Sequence, residues 1–196
     1  MRKLVLFIHL SLDGMAADPD NKINWVYVDE EMFDYARLQT DKADTALYGR
    51  VTYEIMQHYW PTAGDNPHAT KHDKEHSAWY NSVDKIILSR SLRGYNQPKT
   101  TVISENVKEN LITLKKKPGK HILMFGSPTA AHVLIQNDLI DEYWFFITPV
   151  VLGKGKPLFS AFDNKKSFHL NSADRFSSGV VALNYHLKPD LQRQEY

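Results

Sequence analysis

Short apolar runs alternate with amphipathic stretches along most of the chain. Leu4-Val5-Leu6-Phe7-Ile8 is almost continuous in strand formers, the signature of a central strand covered on both faces. Similar runs recur at Thr45 to Tyr48, Lys85 to Ser89, Thr101 to Ile103, His121 to Phe125 and Glu142 to Val151. Between them the spacing predicts helices over 30–40, 51–58, 107–114 and 129–136. Asp29 is the expected N-cap of the first, with Met32, Tyr35, Ala36 and Leu38 turned inward. The stretch from Pro61 to Asp73 is polar and holds two prolines and a glycine, so it reads as a surface loop. Two final strands, about 167–173 and 180–187, are separated by Ser177-Ser178-Gly179 and predict a closing hairpin.

Alternating strands and helices followed by strands alone predict an α/β fold. The sheet is expected to be mixed but mostly parallel, with helices on both faces and an antiparallel C-terminal hairpin. No repeat, low-complexity tract or linker divides the chain, and its 196 residues, 42% of them hydrophobic, suit one domain over 1–196.

Composition then narrows the function. Lys and Arg total 24 against 23 Asp and Glu, which argues against a nucleic-acid binder, since that needs a basic face. It leaves room for an anionic small ligand held by one or two arginines. With no cysteine, thiol catalysis, Cys-zinc sites and disulfides drop out. The start, Met1-Arg2-Lys3 and an apolar run, superficially suggests a signal peptide. His9, Ser11 and Asp13 interrupt that run, no small-residue cleavage site closes it, and no other segment approaches the roughly 20 apolar residues of a membrane span. A cytoplasmic protein without membrane partners is expected.

In an open α/β sheet, ligands bind beyond the carboxyl ends of the strands, where helix N-termini present free N–H groups. Three expected strand ends carry suitable residues. Gly49-Arg50-Val51-Thr52 offers a close backbone approach, a guanidinium fork for a phosphate monoester and a hydroxyl. Ser89-Arg90-Ser91 repeats the hydroxyl and guanidinium pairing, and Gly126-Ser127-Pro128-Thr129 is a glycine turn into a helix. Each alone is ordinary architecture; two arginines at such junctions point to NADP rather than NAD.

These residues also carry a resemblance. Ser11-Leu12-Asp13-Gly14, Leu47 to Glu54, Leu88-Ser89-Arg90, Asp141-Glu142-Tyr143 and Pro149 to Gly155 resemble, in the same order, the riboflavin-biosynthesis reductase family. That family is the C-terminal domain (RibD C-terminal domain) of a bifunctional bacterial deaminase–reductase and a relative of dihydrofolate reductase. The resemblance spans about Lys3 to Leu187, covers the reductase half alone and predicts a stand-alone member. It implies NADPH as hydride donor and a small heterocyclic substrate of pyrimidine or pterin type, 5-amino-6-(5-phosphoribosylamino)uracil in the parent enzyme. By that analogy Arg50 meets the 2′-phosphate and Thr52 the pyrophosphate, with Gly49 among the cofactor-binding residues. Ser89 and Arg90 flank the adenosine; Gly126, Ser127 and Thr129 line the pyrophosphate turn; Ser11, Ala16 and Ala17 lie near the nicotinamide. A homodimer is also implied. Dihydrofolate reductases place an acid on the first helix. Here Asp29, Glu30 and Glu31 all stand at its start, and Glu30 and Asp13 are the candidate catalytic acids. Asp29 as cap with the glutamates as dipole partners is the competing reading.

Other features weigh less. His68, His72 and His76 are spaced so that a helix would bring the last two together, but the flanks read as loop and the stretch as solvated, with no metal. Gly153-Lys154-Gly155-Lys156 lacks the spacing of a phosphate loop, and Lys115-Lys116-Lys117 complements a helix dipole. Trp25, Phe33 and Tyr53 are candidates for the pocket wall, the first two by stacking on a flat ring. A non-catalytic NADP(H)-binding sensor or stress-related protein is the alternative, since it would share Arg50 and Thr52.

Overall fold

The computed structural model describes residues 1–160 and 165–188. The first strand, β1 (Leu4–Ser11), is buried along nearly its whole length. A turn through Gly14 leads to the short β2 (Met15–Ala17) and then to α1 (Glu30–Thr40). Asp29 caps α1 as its sequence predicts, its side chain accepting the Met32 amide at 2.8 Å. Of the expected inner face, Met32 is buried and Tyr35 and Ala36 pack against the core, while Leu38 faces outward. Next come β3 (Ala43–Gly49), α2 (Arg50–Ala63), α3 (Lys71–Ser82), β4 (Asp84–Leu88) and β5 (Thr100–Ile103). They are followed by α4 (Val107–Lys116), β6 (His121–Phe125), α5 (Pro128–Gln136) and β7 (Glu142–Thr148). The short β8 (Lys156–Pro157) pairs with β2, and the hairpin β9 (Phe168–Arg175) and β10 (Val181–Leu187) ends the described chain.

The expected loop between Pro61 and Asp73 is present but shorter than its sequence predicts, because helices enter it from both sides. Pro61 lies inside the last turn of α2, and Thr70 opens α3 with a capping box whose partner is Asp73. Thr70 accepts the Asp73 amide at 3.1 Å, and Asp73 accepts the Thr70 amide at 2.9 Å. Only 64–70 remain irregular. Lys115 also departs from expectation. It is buried, and its ammonium pairs with Asp141 at 2.6 Å, tying α4 to the start of β7.

The main sheet runs β5-β4-β3-β6-β1-β7-β10-β9. All strands from β5 to β7 are parallel, and the hairpin adds two antiparallel strands at the β7 edge. Side chains alternate across β1. Leu4, Leu6, Ile8 and Leu10 join Leu111, Leu134 and Ile135 beneath α4 and α5, while Val5 and Phe7 join Met32 on the α1 face. Tyr48, Tyr53, Tyr80 and Ile87 fill the space under α2 and α3 on that same face. Among the described residues, no helix is long and apolar enough to cross a membrane.

Candidate functional site

Because β4, β3, β6 and β1 are consecutive parallel neighbours, their carboxyl ends form one row. Ser89, Gly49, Gly126 and Ser11 therefore line up over roughly 15 Å, from the usual ~4.8 Å strand spacing. Residues far apart in sequence thus become one row of nucleotide length.

Its centre is built around Ser127. The Gly49 amide donates to Ser127 Oγ at 3.0 Å, and Ser127 Oγ donates to the Phe125 carbonyl at 3.0 Å. A Cβ on Gly49 would stand 3.4 Å from the Cβ atoms of both Ser127 and Ala130. The starts of α2 and α5 thus converge, and neither helix has a side-chain cap. Gly126 and Ser127 both have positive φ, 50° and 56°, and a Cβ on Gly126 would meet nothing within 4 Å. Free amides, two helix dipoles and open space over a glycine suit a pyrophosphate. Thr52 is half-buried on the first turn of α2, and Thr129 is exposed on that of α5. Arg50 and Arg90 are exposed; Arg50 holds Glu54 with one nitrogen at 2.9 and 2.7 Å. Ser89 Oγ accepts the Leu92 amide at 3.2 Å, closing the turn after β4.

At the β1 end, Ser11 is buried. Its hydroxyl accepts the Met15 amide at 2.9 Å and donates to Asp13 at 2.6 Å. Asp13 reaches across to the turn after β7, accepting the amides of Leu152 at 3.2 Å and Gly153 at 2.7 Å. The Ser11 hydroxyl, and then these amides, hold its carboxyl below the usual carboxylate range. Ala16 and Ala17 are buried beside this turn, and Gly155 must be glycine, since a Cβ there would lie 2.2 Å from the Ala17 carbonyl oxygen. The Ser-Leu-Asp-Gly and Leu-Gly-Lys-Gly segments are therefore two halves of one clasp.

A cavity of about 580 Å³ opens on the α1 face of the sheet, floored by Phe7, His9 and Phe125 and walled by α1, α2 and α3. Phe33 stacks on His72, with ring centres 3.7 Å apart and planes 4° from parallel. Trp60 lies 4.1 Å from His76, which also meets Trp79 at 5.2 Å. Burial lowers the pKa of His72 and pushes that of His9 to about 4; burial and then His72 push that of His76 to about 3. All are neutral at pH 7. His9 Nδ1 is shut from solvent and has no hydrogen-bond partner among the described residues.

Sequence reasoning missed His9, and it took His72 and His76 for a solvated stretch although their i, i+4 spacing was the available signal. Among the described residues no group of three metal-binding side chains forms. Of the three residues predicted for a pocket wall, Phe33 lines this cavity and Trp25 does not, its Nε1 donating to the Lys22 carbonyl at 3.3 Å. Tyr53 is buried in the core, its hydroxyl 3.1 Å from that of Tyr95. Of the acids at the start of α1, Asp29 is the cap and Glu31 accepts the Ser177 amide at 3.0 Å and hydroxyl at 2.9 Å, tying α1 to the hairpin. Glu30 is exposed and, like Asp13, does not line the cavity, whose carboxylates are Asp41 and Glu75.

The chain is 32% identical over 187 residues to the uncharacterized protein YyaP of Bacillus subtilis (strain 168), covering 94% of this chain and 95% of that one. Its fold is similar to a pyrimidine reductase-like protein from Corynebacterium diphtheriae (TM-score 0.67, 15% identity, 96% of this chain and 93% of that one). It is also similar to a Thermotoga maritima diaminohydroxyphosphoribosylaminopyrimidine deaminase/5-amino-6-(5-phosphoribosylamino)uracil reductase (TM-score 0.67, 14% identity, 95% of this chain and 57% of that one). Residues 2–182 match the family model described as RibD C-terminal domain, and the chain belongs to that family.

Proposed function

We propose that this protein is an NADPH-dependent reductase of a small flat heterocycle. One observation carries the reading: the anion-suited row of strand ends and the aromatic cavity meet at β6 and β1, where Phe125 lines the cavity and Gly126 follows it in the row, and where His9 lines the cavity and Ser11 ends the strand. His9 in the cavity and Ser11 in the row are two residues apart on β1, roughly 7 Å at strand rise. A dinucleotide along the row would reach the mouth of the cavity.

When bound, NADPH supplies the hydride. Its pyrophosphate would lie over Gly49, Gly126 and Ser127 beside Thr52 and Thr129, at the uncapped starts of α2 and α5; Arg50 would meet its 2′-phosphate, Ser89 and Arg90 its adenosine side, and Ser11, Ala16 and Ala17 its nicotinamide end. Asp13 serves by clasping the turn that carries Gly153 and Gly155, a duty that uses both its oxygens. The cavity excludes water from the substrate ring, and neutral His9, His72 and His76 offer ring nitrogens to its polar edge without adding charge. In the same reading the protein works in the cytoplasm as a homodimer.

Calorimetric titration with NADPH and with NADH is the direct test. Binding that prefers NADPH, followed by its oxidation with pyrimidine or pterin substrates, is expected; absence of binding by either nucleotide overturns the reading.

A further inference from the structure

We infer that the cavity selects an unphosphorylated, uncharged planar heterocycle, stacked within the Phe33, Trp60 and His72 wall and hydrogen-bonded by His9 and His76. The inference rests on the reductase reading for the site's purpose, but not for its geometry.

The first argument is electrostatic. Among the described residues, Arg37 is the single guanidinium or ammonium lining the cavity, and its Nε is 3.6 Å from Glu75. Asp41 adds a second carboxylate. A phosphate dianion entering here would lose its hydration and meet two carboxylates against one guanidinium that is already paired. Buried charge is tolerated only where it is compensated. The Thermotoga maritima protein is described as a 5-amino-6-(5-phosphoribosylamino)uracil reductase; among the described residues this cavity offers such a group only Arg37, which Glu75 engages.

The second argument is the complement of the first. Aromatic faces at Phe33, Trp60 and Phe125 surround imidazoles that burial keeps neutral. A neutral imidazole has one donor and one acceptor nitrogen, the pattern that matches a lactam or amidine edge. His9 lines the cavity, and its Nδ1 has no hydrogen-bond partner among the described residues. The stacked His72–Phe33 pair extends a flat wall rather than a charged one.

Matched pairs that differ by a single phosphate test this on the intact protein. Uridine is compared with uridine 5′-monophosphate by calorimetry, and riboflavin with flavin mononucleotide by quenching of flavin fluorescence, each with and without NADPH. In at least one pair the unphosphorylated member should bind about tenfold more tightly or better, the scale of one uncompensated charged contact. Glu75→Gln, on a half-exposed side chain, releases Arg37 and should shrink that gap several-fold; His76→Gln, which keeps a donor and an acceptor, should weaken the unphosphorylated member less than His76→Leu does. Equal or tighter binding of the phosphorylated members, no binding in either pair, or a gap unmoved by Glu75→Gln would each overturn the inference. NADPH binding without discrimination sinks this inference alone, whereas discrimination without NADPH binding sinks only the reductase reading.

Discussion

The Gly49 amide donates to the Ser127 hydroxyl across 78 positions of sequence at 3.0 Å, joining the end of β3 to the start of α5. That one bond fixes the spacing of two helix N-termini, and a serine there serves a neighbouring strand instead of capping its own helix. Ser127→Ala leaves the Gly49 amide without this partner. The expected loss is about 1–2 kcal/mol of stability, read by chemical denaturation, with weaker NADPH binding. Unchanged stability and unchanged NADPH affinity would show that the junction is not held this way.

Gly126 and Gly155 separate a ligand requirement from a packing one. Gly155→Ala drives a Cβ to 2.2 Å from the Ala17 carbonyl oxygen and should cost more than ~2 kcal/mol, enough to reduce folded yield. Gly126→Ala meets open space at φ +50°, so about 1 kcal/mol is expected, with a disproportionate loss of NADPH affinity. Thermal unfolding and calorimetry on both variants would show whether the two losses separate.

Arg50 is half exposed and engaged by Glu54. For a guanidinium that reads a 2′-phosphate, Arg50→Ala should weaken NADPH by roughly ten- to a hundredfold and leave NADH nearly unchanged, the range of a charge-assisted bond. Glu54→Gln removes the competitor and should tighten NADPH. Equal losses for both nucleotides in Arg50→Ala would remove the 2′-phosphate assignment.

His9 and His76 make stability sensitive to acid. Their folded pKa values, about 4 and about 3, lie below the ordinary 6.5, so between those values the unfolded chain binds more protons than the folded one. Stability is therefore full above about pH 6.5 and falls as the pH drops toward 4, by up to ~1.4 kcal/mol per unit for each imidazole. Denaturant midpoints measured from pH 7 to 4.5 should show this slope, and His76→Gln should make it shallower. A slope identical in the variant would remove His76 from the account.

Asp13 tests the clasp. Asp13→Asn keeps one acceptor oxygen but places an amide where the second oxygen accepts the Gly153 or Leu152 N–H. Faster hydrogen exchange at Leu152 and Gly153 is expected, together with a lower Tm. If Asp13 instead protonated the substrate, exchange would stay unchanged while turnover collapsed.

Much of this molecule is legible in one dimension because its causes are local. Apolar runs of strand length, the Asp29 cap and the glycine turn at Gly126 follow from hydrophobic burial and backbone freedom within a few residues, and they yield the parallel α/β order and three of the four strand ends of the row directly. The Ser-Leu-Asp-Gly segment completes that row, and its family resemblance was visible; its reason was not, since the amides Asp13 accepts lie about 140 positions away. α3 escapes a periodicity reading because its inward residues are His72, His76, Ser77, Trp79 and Tyr80, so no aliphatic stripe marks a helix that turns Tyr80 to the core and His72, His76 and Trp79 to the cavity. Tyr53 and Leu38 exchange expected surroundings for the same reason: composition sets how much surface is buried, but only the packing of α1, α2 and α3 on the sheet decides which side chains meet a ligand and which meet each other.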